Sequence, residues 1–390
     1  MRKQLGLYIH FPFCIQKCQY CDFLSFPYKK SIVKSYLGSL YKEIQSAALP
    51  YNEFDVSTIF IGGGTPSLME SDELLRLMEV VESSFHLERT GEITLEANPG
   101  TLTMAKLKAA QKSGINRLSI GLQSCHNAEL KLLGRIHTYE QFHEQFEQAR
   151  LAGFDNINID IMSALPGQTL LDYEKTLDCI LDLKAEHISA YSLTLEEGTP
   201  FFDRYDTEKA KYLPTESCER QMYHLTNHKL SKKGYNRYEI SNYAKPGFKS
   251  KHNIGYWRRE NYLGLGLGAH SMVDNIRFTV TKKLDAYLKF WDQSNQERDL
   301  ATLYYEDKDH LTLQAQIEEY MFLGLRLKEG IKRNEFCKNF GVPLDCIYQE
   351  MISKHIQQGL LKESKDRQRL FLTRRGIDVS NYVLADFILE

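Results

Sequence analysis

Hydrophobic and polar positions follow two periods along the first three hundred residues. Short runs rich in β-formers, residues 6–10, 57–62, 92–96, 117–121, 156–161, 187–193 and 235–240, read as strands. The stretches between them, among them residues 30–46, 72–85, 139–152 and 216–233, space their apolar positions as helices do. A strand followed by a helix, repeated, predicts βα units around a parallel sheet. Six to eight such units curl toward a TIM-type barrel, partial or complete. Past about residue 295 the pattern changes. The polar stretch WDQSNQERD (291–299) is followed by helical runs at 311–328, 333–340 and 343–358, a short hairpin around 359–372 and a last helical stretch. The fold expected is α/β, with a barrel domain over 1–295 and a small helical or winged domain over 296–390.

Polar and glycine-rich motifs fall where the strands end. Gly62-Gly63-Gly64-Thr65-Pro66-Ser67 follows the apolar Ile59-Phe60-Ile61, and Glu96-Ala97-Asn98-Pro99 closes the next strand. Gln123-Ser124 and Leu165-Pro166-Gly167-Gln168-Thr169 close later ones. A parallel barrel carries its active site at that carboxyl end, so these loops and the one after residues 6–10 are expected to converge.

Composition narrows the function. With 390 residues, 42% of them hydrophobic, the chain can bury a substantial core. A net charge of −2 supplies no field to recruit nucleic acid. No run approaches the roughly 20 apolar residues that span a bilayer, and the first residues lead into a strand rather than a signal-peptide core. A cytoplasmic protein is expected, with peripheral membrane contact left open. Eight cysteines are too sparse for a disulfide scaffold.

Three of the eight crowd into PFCIQKCQYCDF (12–23): Cys14, Cys18 and Cys21, spaced C-x3-C-x2-C, with Phe23 where a fourth might follow. Structural zinc wants four ligands in paired units, and no second pair exists. Three thiolates suit a [4Fe–4S] cluster whose fourth iron stays open to a small molecule. A chance grouping in a loop is the bland alternative. Cys125, Cys179, Cys218, Cys337 and Cys346 are scattered and are expected to be small buried hydrophobes.

The cysteine loop, with Tyr20 before its last thiol, resembles that of radical S-adenosylmethionine enzymes. Together with YIHFPFC, GGGTPS, LEANP, GLQS, LPGQT and HNIGYW, it resembles the oxygen-independent coproporphyrinogen III oxidase family, especially its haem-chaperone branch. The likeness runs from Tyr8 to about His270 and is weaker beyond. It implies Tyr8 and Tyr20 beside the cofactor and cluster, and Gly63, Gly64 and Thr65 along the methionine moiety, where bare backbone approaches closely and offers N–H groups. It implies Glu96, Gln123, Arg135 and Asp160 on the cofactor's polar remainder. Singly, Arg135 or Asp160 also reads as an ordinary ion-pair or strand-end residue.

Two departures and one motif bear on activity. Ala164 stands where relatives carry glycine, a change expected to affect local packing. Phe23 replaces the fourth cysteine of the decarboxylating oxidases, as in the chaperone branch. His252, in KHNIGYW, lies in a motif that the resemblance links to haem binding, histidine being a common axial ligand; the alternative is a loop over the barrel mouth with His252 hydrogen-bonded and Trp257 buried. The run Gly264-Leu265-Gly266-Leu267-Gly268 lacks dinucleotide spacing and reads as close backbone packing. His10 reads as support for the cysteine loop or as a strand-end histidine.

The resemblance thus implies a [4Fe–4S] cluster, S-adenosylmethionine and haem as ligands, haem-acceptor proteins as partners and an unidentified electron donor. The enzyme alternative is coproporphyrinogen III dehydrogenase. A third reading, an iron–sulfur interaction or tRNA-modifying protein, lacks the basic, aromatic-interleaved surface it would need.

Overall fold

The computed structural model describes residues 2–292 and 305–389. Its main sheet has twelve strands: β1 (Lys3–Phe11), β2 (Phe54–Gly63), β3 (His86–Ala97), β4 (Arg117–Gln123), β5 (Ile157–Ser163), β6 (His187–Ser192), β7 (Asn236–Arg237), β8 (Asn242–Ala244), β9 (Tyr262–Leu265), β10 (His270–Val273), β11 (Ile276–Val280) and β12 (Tyr305–His310). The order is β12-β11-β10-β9-β1-β2-β3-β4-β5-β6-β8-β7. From β9 through β6 every neighbouring pair is parallel, and both flanks are antiparallel. Among the described residues no ladder joins β12 to β7, so the barrel is partial.

Period-2 alternation decides what faces inward. Leu5, Leu7, Ile9, Ile59, Ile61, Leu95, Leu118, Ile120, Ile157, Ile159 and Ile188 are at most 1% exposed and belong to the main core. They pack beneath the outer helices α1 (Lys30–Ala47), α2 (Ser71–Ser84), α3 (Met104–Lys112), α4 (Tyr139–Ala152), α5 (Leu170–Asp182) and α6 (Glu216–Lys232). The alternate positions, Tyr8, Phe60, Glu96, Ser119, Asp160 and Ser189, border a single interior cavity, as a curled sheet requires. Capping boxes at Thr138 and Thr169 fix the starts of α4 and α5, each cap worth about 1 kcal/mol.

The sheet departs from expectation in two places. Residues 235–240 form no long strand: the chain pairs briefly at β7, turns, and returns antiparallel as β8 against β6. The glycine-rich run supplies the extra parallel strand β9 beside β1. Its glycines serve close packing, since a Cβ on Gly266 would sit 2.7 Å from the His10 carbonyl oxygen.

Ala164 has φ +60, a left-handed conformation that glycine would adopt at less cost than alanine.

The expected domain boundary between residues 295 and 296 lies outside the described residues. Beyond it, β12 still pairs with β11 of the main sheet. Then come α8 (Leu313–Gly324), α9 (Arg333–Phe340) and α10 (Leu344–Gln357), with a small sheet whose hairpin joins Leu361–Glu363 to Arg369–Leu372. These elements share a separate core around Met321, Phe336, Tyr348 and Phe387. Helix–strand–wing is thus the C-terminal layout. Among the described residues no helix is long and apolar enough to cross a membrane.

Candidate functional site

A cleft with about 1180 Å³ of empty space opens at the carboxyl ends of β2 to β6. Cys14, Cys18, Tyr20, Cys21, Gly63, Gly64, Thr65, Glu96, Gln123, Arg135 and Asp160 all line it, together with Phe23. Eleven of the thirteen residues expected at the site are therefore gathered there; Tyr8 and His252 are not.

Backbone hydrogen bonds hold the cysteine loop at both ends. Tyr28 N donates to Cys14 O (2.8 Å), Gln19 N to Leu133 O (3.0 Å) and Cys21 N to Cys18 O (3.3 Å). Side chains from the strand ends reach the sulfurs. Thr65 Oγ1 lies 3.5 Å from Cys14 Sγ, and Arg135 Nη1 lies 3.7 Å from Cys18 Sγ. Asn98 ties these together, donating from Nδ2 to Thr65 Oγ1 (2.8 Å) and accepting at Oδ1 from Arg135 Nη2 (2.8 Å). Among the described residues no three His, Cys, Asp or Glu side chains already converge on a point where one metal ion would sit.

The glycine loop behaves differently from its expected role. The three N–H groups expected to face a ligand are committed within the protein: Gly63 N to Glu96 Oε2 (3.0 Å), Gly64 N to Phe11 O (2.9 Å) and Thr65 N to Phe13 O (2.8 Å). The loop is glycine-rich because it passes against β1. A Cβ on Gly63, at φ +111, would collide with the His10 imidazole.

Desolvation pushes the Glu96 carboxyl up to about 7, Gly63 N–H and Arg117 opposing and Asp160 adding to the rise. Asp160 is likewise raised by burial, against bonds from Asn158 and Ser119. Gln123 holds φ +75 at a register shift between β4 and β5, strain of the kind that collects at sites.

Tyr8 stands one layer deeper. Its hydroxyl shares a 2.8 Å hydrogen bond with His10 Nδ1, and His10 Nε2 shares one of 3.1 Å with Leu24 O. His10 is buried, and desolvation lowers its pKa to about 4, so it acts as a neutral strut between β1 and the cysteine loop.

His252 is displaced from the role expected of it. KHNIGYW is no loop over the mouth but a short helix, α7 (Lys251–Trp257), at the amino ends of the strands. There Glu92 accepts from Ser250 Oγ (3.1 Å), Lys251 N (2.9 Å) and His252 N (3.1 Å). The imidazole is 4% exposed, with Nδ1 bonded to Thr58 Oγ1 (2.8 Å), Nε2 to Tyr256 OH (2.9 Å) and its face stacked on Phe60. Neither nitrogen is free for iron in this conformation. The hydrogen-bonded alternative holds for His252, while Trp257 is only half-buried, beneath the Arg326 guanidinium.

Asn98, from the strand-end motif Glu96-Ala97-Asn98-Pro99, also lines the cleft, as do Ser119, Met162 and Tyr191, which lie in no motif quoted above. Extending the period-2 pattern back from Gln123 along RLSIGLQ finds Ser119, and two residues earlier Arg117. The scattered cysteines depart from expectation too: Cys337 and Cys346 are exposed, and Cys125, Cys179 and Cys218 are half-buried.

Residues 8–180 match the Radical SAM superfamily, and residues 311–379 match the HemN C-terminal domain. "Heme chaperone HemW" of Lactococcus lactis is 38% identical over 100% of this chain and 99% of its own length. The proteins of the same name from Bacillus subtilis and Escherichia coli are 35% and 34% identical, covering 98% and 99% of this chain and 99% and 98% of theirs. The chain belongs to the HemW family of radical SAM proteins. The solved structure of coproporphyrinogen III oxidase (HemN) from Escherichia coli superposes with a TM-score of 0.83 at 22% identity, over 99% of this chain and 90% of that one, and shares the fold.

A radical SAM domain implies a [4Fe–4S] cluster and S-adenosylmethionine, and the residues present fit both. Three thiols face one cleft from a loop anchored at each end, with N–H and O–H donors against two of the sulfurs. Carboxylates and a guanidinium border the same space.

Proposed function

We propose that this chain is a cytoplasmic haem chaperone, holding one [4Fe–4S] cluster on Cys14, Cys18 and Cys21, S-adenosylmethionine beside it, and haem for delivery to haem-requiring acceptors such as respiratory proteins. The observation that carries the reading is Phe23. It stands 63% exposed on the cleft rim where a decarboxylating relative would place a fourth thiol, and the full-length relatives bear the chaperone name. Ile15 (58% exposed) and Ile136 (55%) flank the same cysteine loop, giving the mouth an apolar margin against which a porphyrin face would pack.

The chemistry that a cluster held by Cys14, Cys18 and Cys21 would supply is an open iron position for the methionine end of S-adenosylmethionine and an electron for it. The chain's own groups then bind and orient. Arg135 would offer N–H to the Cys18 sulfur, orienting it within the loop. Glu96 Oε2 is taken by Gly63 N–H, which turns the carboxylate so that it would meet the cofactor's ammonium or ribose hydroxyls. Tyr20, packed toward Phe201, would close one wall.

The test is anaerobic. Reconstituted protein is titrated with haem and mixed with an apo-haemoprotein, and coproporphyrinogen III is assayed alongside under reducing conditions. Haem binding and transfer with coproporphyrinogen left unconsumed supports the reading; robust formation of the vinyl product replaces it with the oxidase.

A further inference from the structure

The cleft continues into the barrel. Beneath it lies a second cavity with about 560 Å³ of empty space, sharing Glu96, Ser119, Asp160 and Tyr191 with the first. Among its lining residues Arg117, the first residue of β4, alone carries a fixed positive charge, and it is 2% exposed.

A guanidinium so deeply buried is ordinarily paired. Arg117 forms no ion pair among the described residues: its Nε has no hydrogen-bond partner, and Nη1 makes one long contact, 3.5 Å to Thr94 Oγ1. Leaving a cation unmatched in a low-dielectric interior is costly, and attraction to anions at longer range offsets part of that cost. Glu96 on β3 and Asp160 on β5, the strands on either side of β4, both feel its charge, while the buried Glu92, two residues before Thr94 on β3, is committed to Ser250, Lys251 and His252 at the start of α7. Standing off, rather than bridging, leaves the lone pairs that Gly63, Asn158 and Ser119 do not use, Glu96 Oε1 above all, available to the cleft. A bidentate pair would consume them.

We propose that Arg117 is a positioning residue for the cofactor site: its guanidinium, held in the cavity beneath the cleft, keeps Glu96 and Asp160 ionised and turned toward the ammonium, sulfonium and ribose of S-adenosylmethionine. The inference rests on Glu96 and Asp160 being cofactor contacts. The other groups that face Glu96 are Tyr8 from β1 and Tyr256 from α7, both neutral phenols whose deprotonation burial opposes, and the Gly63 N–H from β2. Arg135 also acts on Asp160 from the cleft side, whereas Arg117 acts on both carboxylates and so offsets the repulsion between them.

The experiment measures S-adenosylmethionine affinity of the cluster-loaded protein from about pH 6 to 8.5, read from the cluster's paramagnetic spectrum. In the wild type, affinity rises as pH climbs through about 7, where Glu96 ionises. Arg117→Gln and the volume-matched Arg117→Met should move that midpoint up by about one pH unit or more, weakening binding at neutral pH while iron content is unchanged. Arg117→Lys, which keeps the charge, should stay near the wild-type midpoint. Glu96→Gln should flatten the profile.

A Glu96→Gln profile identical to wild type would remove Glu96 from the cofactor site. A flattened Glu96→Gln profile with unshifted Arg117→Gln and Arg117→Met profiles would overturn the role of Arg117 alone. Should both uncharged variants fail to fold, the Arg117→Gln/Glu96→Gln double variant decides: recovery of the folded, cluster-binding chain supports the charge coupling, and continued misfolding makes Arg117 merely structural.

Discussion

A side chain on Gly64 would place its Cβ 2.7 Å from both the amide nitrogen and the carbonyl oxygen of Phe13, the residue before Cys14. The end of β2 and the entry to the cysteine loop are therefore packed backbone to backbone, and Thr65 N seals the contact on Phe13 O. Gly64→Val should lose cluster and cofactor together, since overpacking of this kind costs about 1–3 kcal/mol and displaces Cys14. Iron content per chain, measured beside S-adenosylmethionine affinity, checks it. Full iron with weakened cofactor binding would mean that the side chain projects into the cleft instead.

The thiols divide cleanly. Cys14→Ala, Cys18→Ala and Cys21→Ala should each abolish thiolate-to-iron absorbance, whereas Cys125→Ala and Cys337→Ala should retain it, because only the first three line the cleft. Dependence on Cys337 equal to that on Cys14, or purification with stoichiometric zinc, would reject the cluster assignment.

How far the sequence discloses this architecture depends on whether the deciding interaction is local. The strands from β1 to β6 are written in apolar runs, and the cleft residues sit at their ends, so spacing along the chain is enough to bring Glu96, Gln123 and Asp160 together. The fate of KHNIGYW is not local. Glu92, nearly 160 residues away, caps α7 at the amino ends of the strands. No pattern near His252 announces a partner at that distance. The glycines of GGGTPS were legible as a close approach, but whether they approach ligand or backbone depends on β1. RLSIGLQ did carry a readable signal, because alternation puts Arg117 on the same face as Gln123.

Glu319 on α8 joins the C-terminal elements to the barrel sheet. Its Oε2 accepts from Arg259 Nε (2.8 Å) and its Oε1 from Arg277 Nη2 of β11 (2.7 Å), and it is 5% exposed. Glu319→Ala strands the buried Arg259 guanidinium, and losing one partner of a buried pair typically costs about 3 kcal/mol. Urea unfolding should show the C-terminal elements releasing first, as a separate early transition. A curve superimposing on wild type would show that Asn275, also bonded to Arg259 (3.1 Å), suffices.

His252 offers a sharper test because its two roles have opposite signatures. As a buried strut it exchanges hydrogen bonds with Thr58 and Tyr256 and stacks on Phe60, so His252→Ala should lower stability by about 3 kcal/mol at neutral pH. Desolvation, aided by Arg117, holds its pKa down to about 3 in the fold. The unfolded chain takes up that proton near 6.5, the fold does not, and so the wild type loses about 1.4 kcal/mol per pH unit as the pH falls below about 6.5. The alanine variant lacks that term. The stability gap should thus be widest above about pH 6.5 and should shrink by about 2 kcal/mol on going to pH 5, as denaturant titrations at several pH values would read. The Soret band of bound haem should be the same in both proteins. A pH-independent gap accompanied by a shifted Soret band would return His252 to the iron and require α7 to open when haem binds.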